Sequence, residues 1–282
     1  MPSLFANTIT QIAGCESTAT VPGIVKHICW QVRKVFNSFP VELQISSSKI
    51  VTDRPTGVGA LINCMGMYDF NNMSLIKRVL QCVGGTFVDV GANIGAYTLV
   101  ASEIHSASVV SIEPHPHTYK LLCNNVRLNS RSQVTCLNVA ASNHEGVVTL
   151  TDAHELATNR ILPGASASKN TLRVRSRTLD SICEQTGIVP TIVKIDVEGH
   201  EQWVLEGFRR HIASVYALAV ENGERREIQE MLQPAGLLGP YYFHATSNTF
   251  STHPQQRRED SVYVRASLFG VRGLSAMRCT NP

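Results

Sequence analysis

The sequence predicts an α/β fold, with a mostly parallel sheet, helices on both of its faces and a small N-terminal elaboration. Three observations predict it. Short apolar runs alternate along the chain with stretches whose apolar residues recur at helical spacing, an order that calls for parallel strands joined by right-handed helical crossovers. One junction, Phe87-Val88-Asp89-Val90-Gly91-Ala92-Asn93-Ile94-Gly95-Ala96-Tyr97-Thr98, is an apolar run that breaks into glycines and resumes with helix spacing. It reads as a buried strand, a tight turn and the first turn of a helix. Acids also close successive strand candidates, at Asp89, Glu113, Asp196 and Glu221, on the sheet edge where open α/β sheets bind ligands.

Composition sets the bounds. A chain of 282 residues accommodates one large domain and an appendage. The expected division is an N-terminal extension with a short helix and strands over 1–70, a main domain over 71–268 and a tail over 269–282. Hydrophobic residues make up 43% and charged residues 17%, which supports a large core and excludes a disordered chain. The net charge of +3 is carried by dispersed basic residues, so no footprint for nucleic acid stands out. Arg257-Arg258-Glu259-Asp260 reads as a solvated loop. Eight cysteines form no C-x-x-C pair and lie mostly in apolar stretches, as reduced core cysteines of an intracellular protein do. No secretory pattern is visible at the start and no apolar run approaches the roughly 20 residues of a membrane helix. The expectation is a cytoplasmic protein that is not an integral membrane protein.

Taken in order, Ile24, Val25, Ile28, Val32 and Val35 stand at helical spacing and predict a short helix outside the main domain. Between Val41 and Met67, Val41-Glu42-Leu43-Gln44-Ile45, Ile50-Val51 and Ala60-Leu61-Ile62 predict short strands split by an Asp53–Gly57 turn. Caps at 71–74 and apolar positions from Leu75 to Val83 predict a helix that Gly84-Gly85 ends. Ser108–Ile112 is a second strand, stopped by Glu113-Pro114, and a helix follows to about Leu128. Val134–Ala140 is a third strand, with Val147–Leu150 as an antiparallel companion and Leu172–Arg175 as a further strand. The irregular stretch 153–170 is long enough to be either a substrate-contacting loop or a merely flexible one. Thr178 caps a helix, Thr191–Ile195 and Val215–Val220 are buried strands, and 241–243 with 261–264 form a closing hairpin.

The glycine turn lets backbone approach a ligand over a helix N-terminus. A dinucleotide fingerprint would need G-x-G-x-x-G, but Asn93 stands at the second position and Gly95 falls one residue early. Asp89 at the strand end repels a phosphate and accepts from an ammonium group, and S-adenosylmethionine carries an ammonium and no phosphate. Glu113 follows Gly91 by 22 residues, close to the ≈ 20-residue offset of a ribose-binding acid. The plainer alternatives are a glycine turn that only packs helix on sheet, and a Glu113 that only caps a helix.

Four blocks carry a resemblance: Phe-Val-Asp-Val-Gly-Ala-Asn-Ile-Gly at 87–95, Ile-Glu-Pro at 112–114, Arg-Thr-Leu-Asp at 177–180 and Lys-Ile-Asp-Val-Glu-Gly-His-Glu at 194–201. Over about Leu75 to Val264 the chain resembles the FkbM family of S-adenosylmethionine-dependent methyltransferases. The resemblance implies a class I methyltransferase (Rossmann-like) fold, a seven-stranded sheet whose last hairpin strand is antiparallel, and O-methylation of a small-molecule hydroxyl acceptor such as a sugar or glycolipid precursor. It implies that Asp89, Gly91, Asn93 and Gly95 line the methionine half of the cofactor, that Glu113 holds the ribose, that Ala140-Ala141 flanks the adenine, and that Asp196 lies beside the reacting groups.

Removal of the hydroxyl proton needs a base. Asp196 is the first candidate. His200 is the second, since a helix beginning near Val197 would bring it one turn from Asp196, although a solvated histidine of a first helical turn is the plainer reading. Lys194 and Glu198 read equally well as structural. Asp196 and the Glu221-Asn222 pair end neighbouring strands, which could hold Mg²⁺, or Glu221 could bind substrate or cap a helix. A non-catalytic nucleoside-binding module and, more remotely, a nicotinamide oxidoreductase are the competing functions.

Overall fold

The computed structural model describes residues 20–152, 159–162, 170–254 and 259–280. Expectations for 1–19, for most of the 153–170 loop and for Arg257-Arg258 lie outside the described residues. The central sheet is built from parallel β3 (Gly85–Val90), β4 (Ala107–Ile112), β5 (Val134–Leu137), β9 (Pro190–Ile195) and β10 (Ala217–Val220). Antiparallel β13 (Ser261–Arg265) inserts between β10 and β11 (Leu237–His244). These seven strands lie in the order β5-β4-β3-β9-β10-β13-β11, the class I methyltransferase arrangement. Two short strands, β12 (Thr249–Ser251) and β14 (Arg278–Thr280), extend the sheet beyond β11. Among the described residues the sheet therefore holds the seven expected strands and two more, which the hairpin after β11 and the C-terminal segment add at the β11 edge.

Two apolar layers cover the sheet. On one face, α3 (Phe70–Val83) and α4 (Ala96–Ala101) bury Met73, Ile76, Val79, Leu80 and Leu99 against Phe87, Val109 and Ile192. On the other, α6 (Leu179–Thr186), α7 (Glu201–Glu206) and α8 (Arg226–Leu232) bury Ile182, Leu205 and Leu232 against Val88, Val193 and Leu218. The alternation along β3 and β9 sends successive side chains into opposite layers. Val147–Leu150 is not the antiparallel companion of the third strand: β7 (Gly146–Thr151) pairs antiparallel with β8 (Thr171–Arg177), in a separate three-stranded sheet that β6 (Ala140–Ala141) joins through β8, because the chain leaves the central sheet after β5.

The elaboration holds a hairpin, β1 (Val41–Ile45) with β2 (Ser48–Thr52), and two helices, α1 (Thr20–Val35) and α2 (Gly57–Met65). The strand expected at 60–62 is instead part of α2. Thr56 accepts from the Gly59 amide as N-cap, and Gly66 closes the helix in the left-handed region, so local capping outweighs the short apolar run. The free edge of β2 is completed by side chains of α5 (Pro116–Leu128) and its C-cap Asn129. Asn125 accepts from the Val51 N–H at 2.8 Å and donates to Val51 O and Ile94 O, and Asn129 exchanges the same pair of bonds with Lys49. Two amides one helical turn apart thus meet alternate residues of the strand.

Asn125→Ala would strip partners from Val51 and Ile94 at a buried position. It is expected to destabilise the protein by about 2 kcal/mol or more, read as a lower urea midpoint. An unchanged midpoint would show that the hairpin is held by its apolar face alone.

Candidate active site

The strand order reverses between β3 and β9, so the crossovers leave in opposite directions and open a crevice at the carboxyl edge. A cavity of about 680 Å³ lies there, within the roughly 300–1,000 Å³ of small-molecule sites. One half is made by the turn after β3. Gly91 and Gly95 sit at φ +82° and +97°, and Asn93 at +51°. A Cβ on Gly91 would stand 1.8 Å from the Asp196 carbonyl oxygen, so only glycine lets the β3 and β9 turns approach this closely. The Asn93 N–H donates to Glu113 Oε2 at 3.0 Å and the His115 N–H to Oε1 at 2.9 Å. Both oxygens of Glu113 are thereby oriented, and burial still pushes its carboxyl up to about 7. Asp89, also buried, accepts from Thr98 Oγ1 at 2.6 Å. Ala140 and Ala141 line the same cavity.

The other half is centred on Lys194. Its ammonium is buried, 2.7 Å from Asp196 Oδ2 and 3.8 Å from Asp260 Oδ2, and lies 4.6 Å from the centroid of the Tyr97 ring. These carboxylates and Asp89 hold the lysine charged against the cost of burial. Tyr97 is held by its hydroxyl, which donates to Asp69 Oδ2 at 2.6 Å, and Asp69 is also the N-cap of α3. Tyr68 stands edge-on to Tyr97 and lines the cavity. Asp196, Glu198 and Glu221 each present an oxygen within 4.8 Å of the others. Glu221 Oε2 has no hydrogen-bond partner among the described residues, and burial with the nearby Asp196 pushes its carboxyl up to about 8. Asn222, Asn159 and Ile161 also face the cavity.

The sequence model of the Methyltransferase FkbM domain matches residues 89–234, a little over half of the chain. The chain belongs to the FkbM methyltransferase family. It is also similar to the hexuronic acid methyltransferase AglP of Haloferax volcanii, with 29% identity over 153 residues, 53% of this chain and 62% of the relative. It thus spans less than two thirds of that relative's length. Solved structures with similarity include a precorrin-6y C5,15-methyltransferase from Geobacter metallireducens (14% identity, TM-score 0.38, covering 59% of this chain and 71% of the other). Another is a SAM-dependent methyltransferase from Agrobacterium tumefaciens (9% identity, TM-score 0.44, covering 68% and 58%).

In this FkbM-family chain, Asp89, Gly91, Asn93, Glu113, Ala140, Ala141, Asp196, Glu221 and Asn222 all line one cavity. Gly95 supports the turn from behind, where a Cβ would meet Leu122 at 2.8 Å. His200 requires a correction. The helix expected from Val197 begins at Glu201, because Glu198 and Gly199 adopt φ +53° and +96° and break it. His200 is turned into the protein, stacked on Trp203 and bonded through Nε2 to Ser142 Oγ at 3.0 Å, and it does not line the cavity. The reading of 257–260 as a solvated loop also fails for Asp260, which reaches the cavity beside Lys194. One signal could have found it: β13 runs antiparallel, so the residue before it lands on the edge where its parallel neighbours end. Tyr68, in the turn before α3, has no comparable signal.

The raised carboxyls make stability depend on pH. Burial pushes Glu113 and Asp260 up to about 7 and Glu221 up to about 8. The folded state then holds more protons than the unfolded one, and stability falls as pH rises through that window. His200, lowered by burial to about 4 from 6.5, acts in the opposite sense, but only between those values. The melting temperature of the ligand-free protein is therefore expected to fall between pH 6.5 and 8, and to fall less in Glu221→Gln. A melting temperature that rises over this window would refute the assignment of the raised carboxyls.

Proposed function

We propose that this protein is an S-adenosylmethionine-dependent O-methyltransferase acting on a hydroxyl-rich, uncharged small molecule such as a sugar or glycolipid precursor. The observation that carries the reading is that one cavity brings a glycine turn with an oriented Glu113 to face a cluster of acidic side chains around Asp196. The residues suit the cofactor: the turn at Gly91 presents its backbone to the cavity, Asp89 offers an anion to its ammonium, Glu113 offers two oxygens to its ribose, and Ala140-Ala141 offers a small apolar wall to its adenine. When bound, the cofactor supplies an electrophilic methyl group.

The chain's own part is to orient the acceptor oxygen and take its proton. Asp196 is the proton acceptor in this reading, with one oxygen fixed by Lys194 and the other left to the substrate. Glu221, Glu198, Glu224, Glu259 and Asp260 line the same half and accept from sugar hydroxyls. Lys194 is already paired with Asp196 and Asp260 and has no charge left to offer an anionic acceptor, so the uronic acid named for AglP is disfavoured here. The cavity does not favour a nicotinamide cofactor, whose pyrophosphate would meet Asp89.

Mg²⁺ is a second reading, favoured by the three oxygens of Asp196, Glu198 and Glu221. Lys194 already places a cation on Asp196, and for that reason the metal-free reading leads.

Glu113→Ala is expected to weaken S-adenosylhomocysteine binding by about tenfold or more in calorimetry, since a charge-assisted contact of roughly 1.5–3 kcal/mol is lost. Unchanged affinity in a folded variant would remove Glu113 from the ribose.

Asp196→Asn should lower methyl transfer to a panel of neutral sugars by about 10²–10⁴-fold while homocysteine-product binding persists. The wild-type protein should keep full activity in EDTA. Activity lost in EDTA and restored by Mg²⁺ would decide for the metal.

A further inference from the structure

The helix α1 has two apolar faces, and only one is covered. His27 and Trp30 point inward and are buried. The Trp30 ring packs so closely on Gly59 of α2 that a Cβ there would stand 2.8 Å away, and it meets Phe39 edge-on at 5.4 Å. The Lys26 carbonyl also accepts from Asn63 of α2 at 2.9 Å. These contacts fix the rotation of the helix. The stripe Val25, Ile28, Val32, Val35 and Phe36 consequently points away from the body, with 53, 54, 49, 78 and 74% of each residue exposed.

One exposed valine is ordinary, but four apolar residues on one helix face, continued by Phe36 just past the helix end, form a patch that marks an interaction surface. Its electrostatic setting indicates the partner. From residue 17 to residue 41 the chain has no acid, and it carries Lys26, Arg33 and Lys34. That stretch bears as much net positive charge as the whole chain, +3. Lys26 and Arg33, seven residues apart, lie on one flank of the stripe and are exposed. Long basic side chains beside an apolar stripe can reach up to a headgroup layer while the stripe enters the acyl boundary. The helix is 16 residues long, about 24 Å, and no helix among the described residues is long and apolar enough to cross a membrane. It has the length and pattern of an element that lies in the surface.

We propose that the outer face of α1 docks this protein on an anionic lipid surface, with Val25, Ile28, Val32, Val35 and Phe36 inserted and Lys26 and Arg33 against the headgroups. The inference does not depend on the methyl-transfer reading. It does bear on where the cavity sits, since α1 packs on α2, whose Val58 lines the cavity wall.

The experiment is co-sedimentation of the full chain with vesicles of phosphatidylserine and phosphatidylcholine at about a 3:7 ratio, and with phosphatidylcholine alone. Binding to the anionic vesicles is expected to be about tenfold or more tighter than to the neutral ones, and to weaken at high salt. The double substitution Ile28→Glu, Val32→Glu, at two solvent-facing positions, should reduce it by at least about tenfold, with the melting temperature unchanged. A wild-type chain that stays in the supernatant with anionic vesicles would overturn the proposal. So would a dimer, seen by analytical ultracentrifugation without lipid, that the same double substitution dissociates, because a second copy would then be the occupant.

Discussion

The buried ammonium of Lys194 is the constraint on which this site depends. A lysine buried at the end of a central strand is tolerable only when carboxylates and an aromatic face surround it. Asp196, Asp260 and the ring of Tyr97 do this from β9, from the segment before β13 and from α4, and Asp89 adds its charge from β3. The cation therefore ties together strands that are far apart in sequence. Its demands reach further: Tyr97 is held by Asp69, and Asp69 caps α3. The N-terminal end of a helix and the floor of the cavity are parts of one hydrogen-bonded unit.

The half of the cavity beside β3 is organised on a different principle. There the backbone does the orienting, through left-handed residues at Gly91, Asn93 and Gly95 and through amides aimed at Glu113. A turn whose amides are already aimed by such bonds has less to order on binding than a free loop. The opposite half keeps an excess of carboxylate over cation, with Glu221 Oε2 left without a partner among the described residues.

Much of this was legible in the sequence. The glycine turn, the acids at strand ends and the alternation of strand and helix are local features, and each landed at the carboxyl edge. Local reading failed where a local conflict was decided by another local signal it had underweighted. Thr56 and Gly66 made a helix of 57–65, and the Glu198-Gly199 turn delayed α7 until Glu201 and turned His200 inward. The residues that were missed as site residues, Tyr68 and Asp260, sit in connections with no periodicity of their own. Lys194 was visible only as a strand residue with two equally good roles.

The sequence by itself determined which segments are strands of a parallel sheet, where the ligand edge lies and which turn faces it, because those properties follow from spacing, glycine and strand-end chemistry within a few tens of residues. Only the tertiary structure decided what meets across that edge. Strand order brought Asp260 to Lys194, packing of Trp30 on Gly59 set the outward stripe of α1, and Asn125 on α5 closed an edge 74 residues away in sequence. These pairings involve no sequence neighbours, so their physical cause, the joint burial of groups that cannot be left unpaired, exists only once the chain is folded.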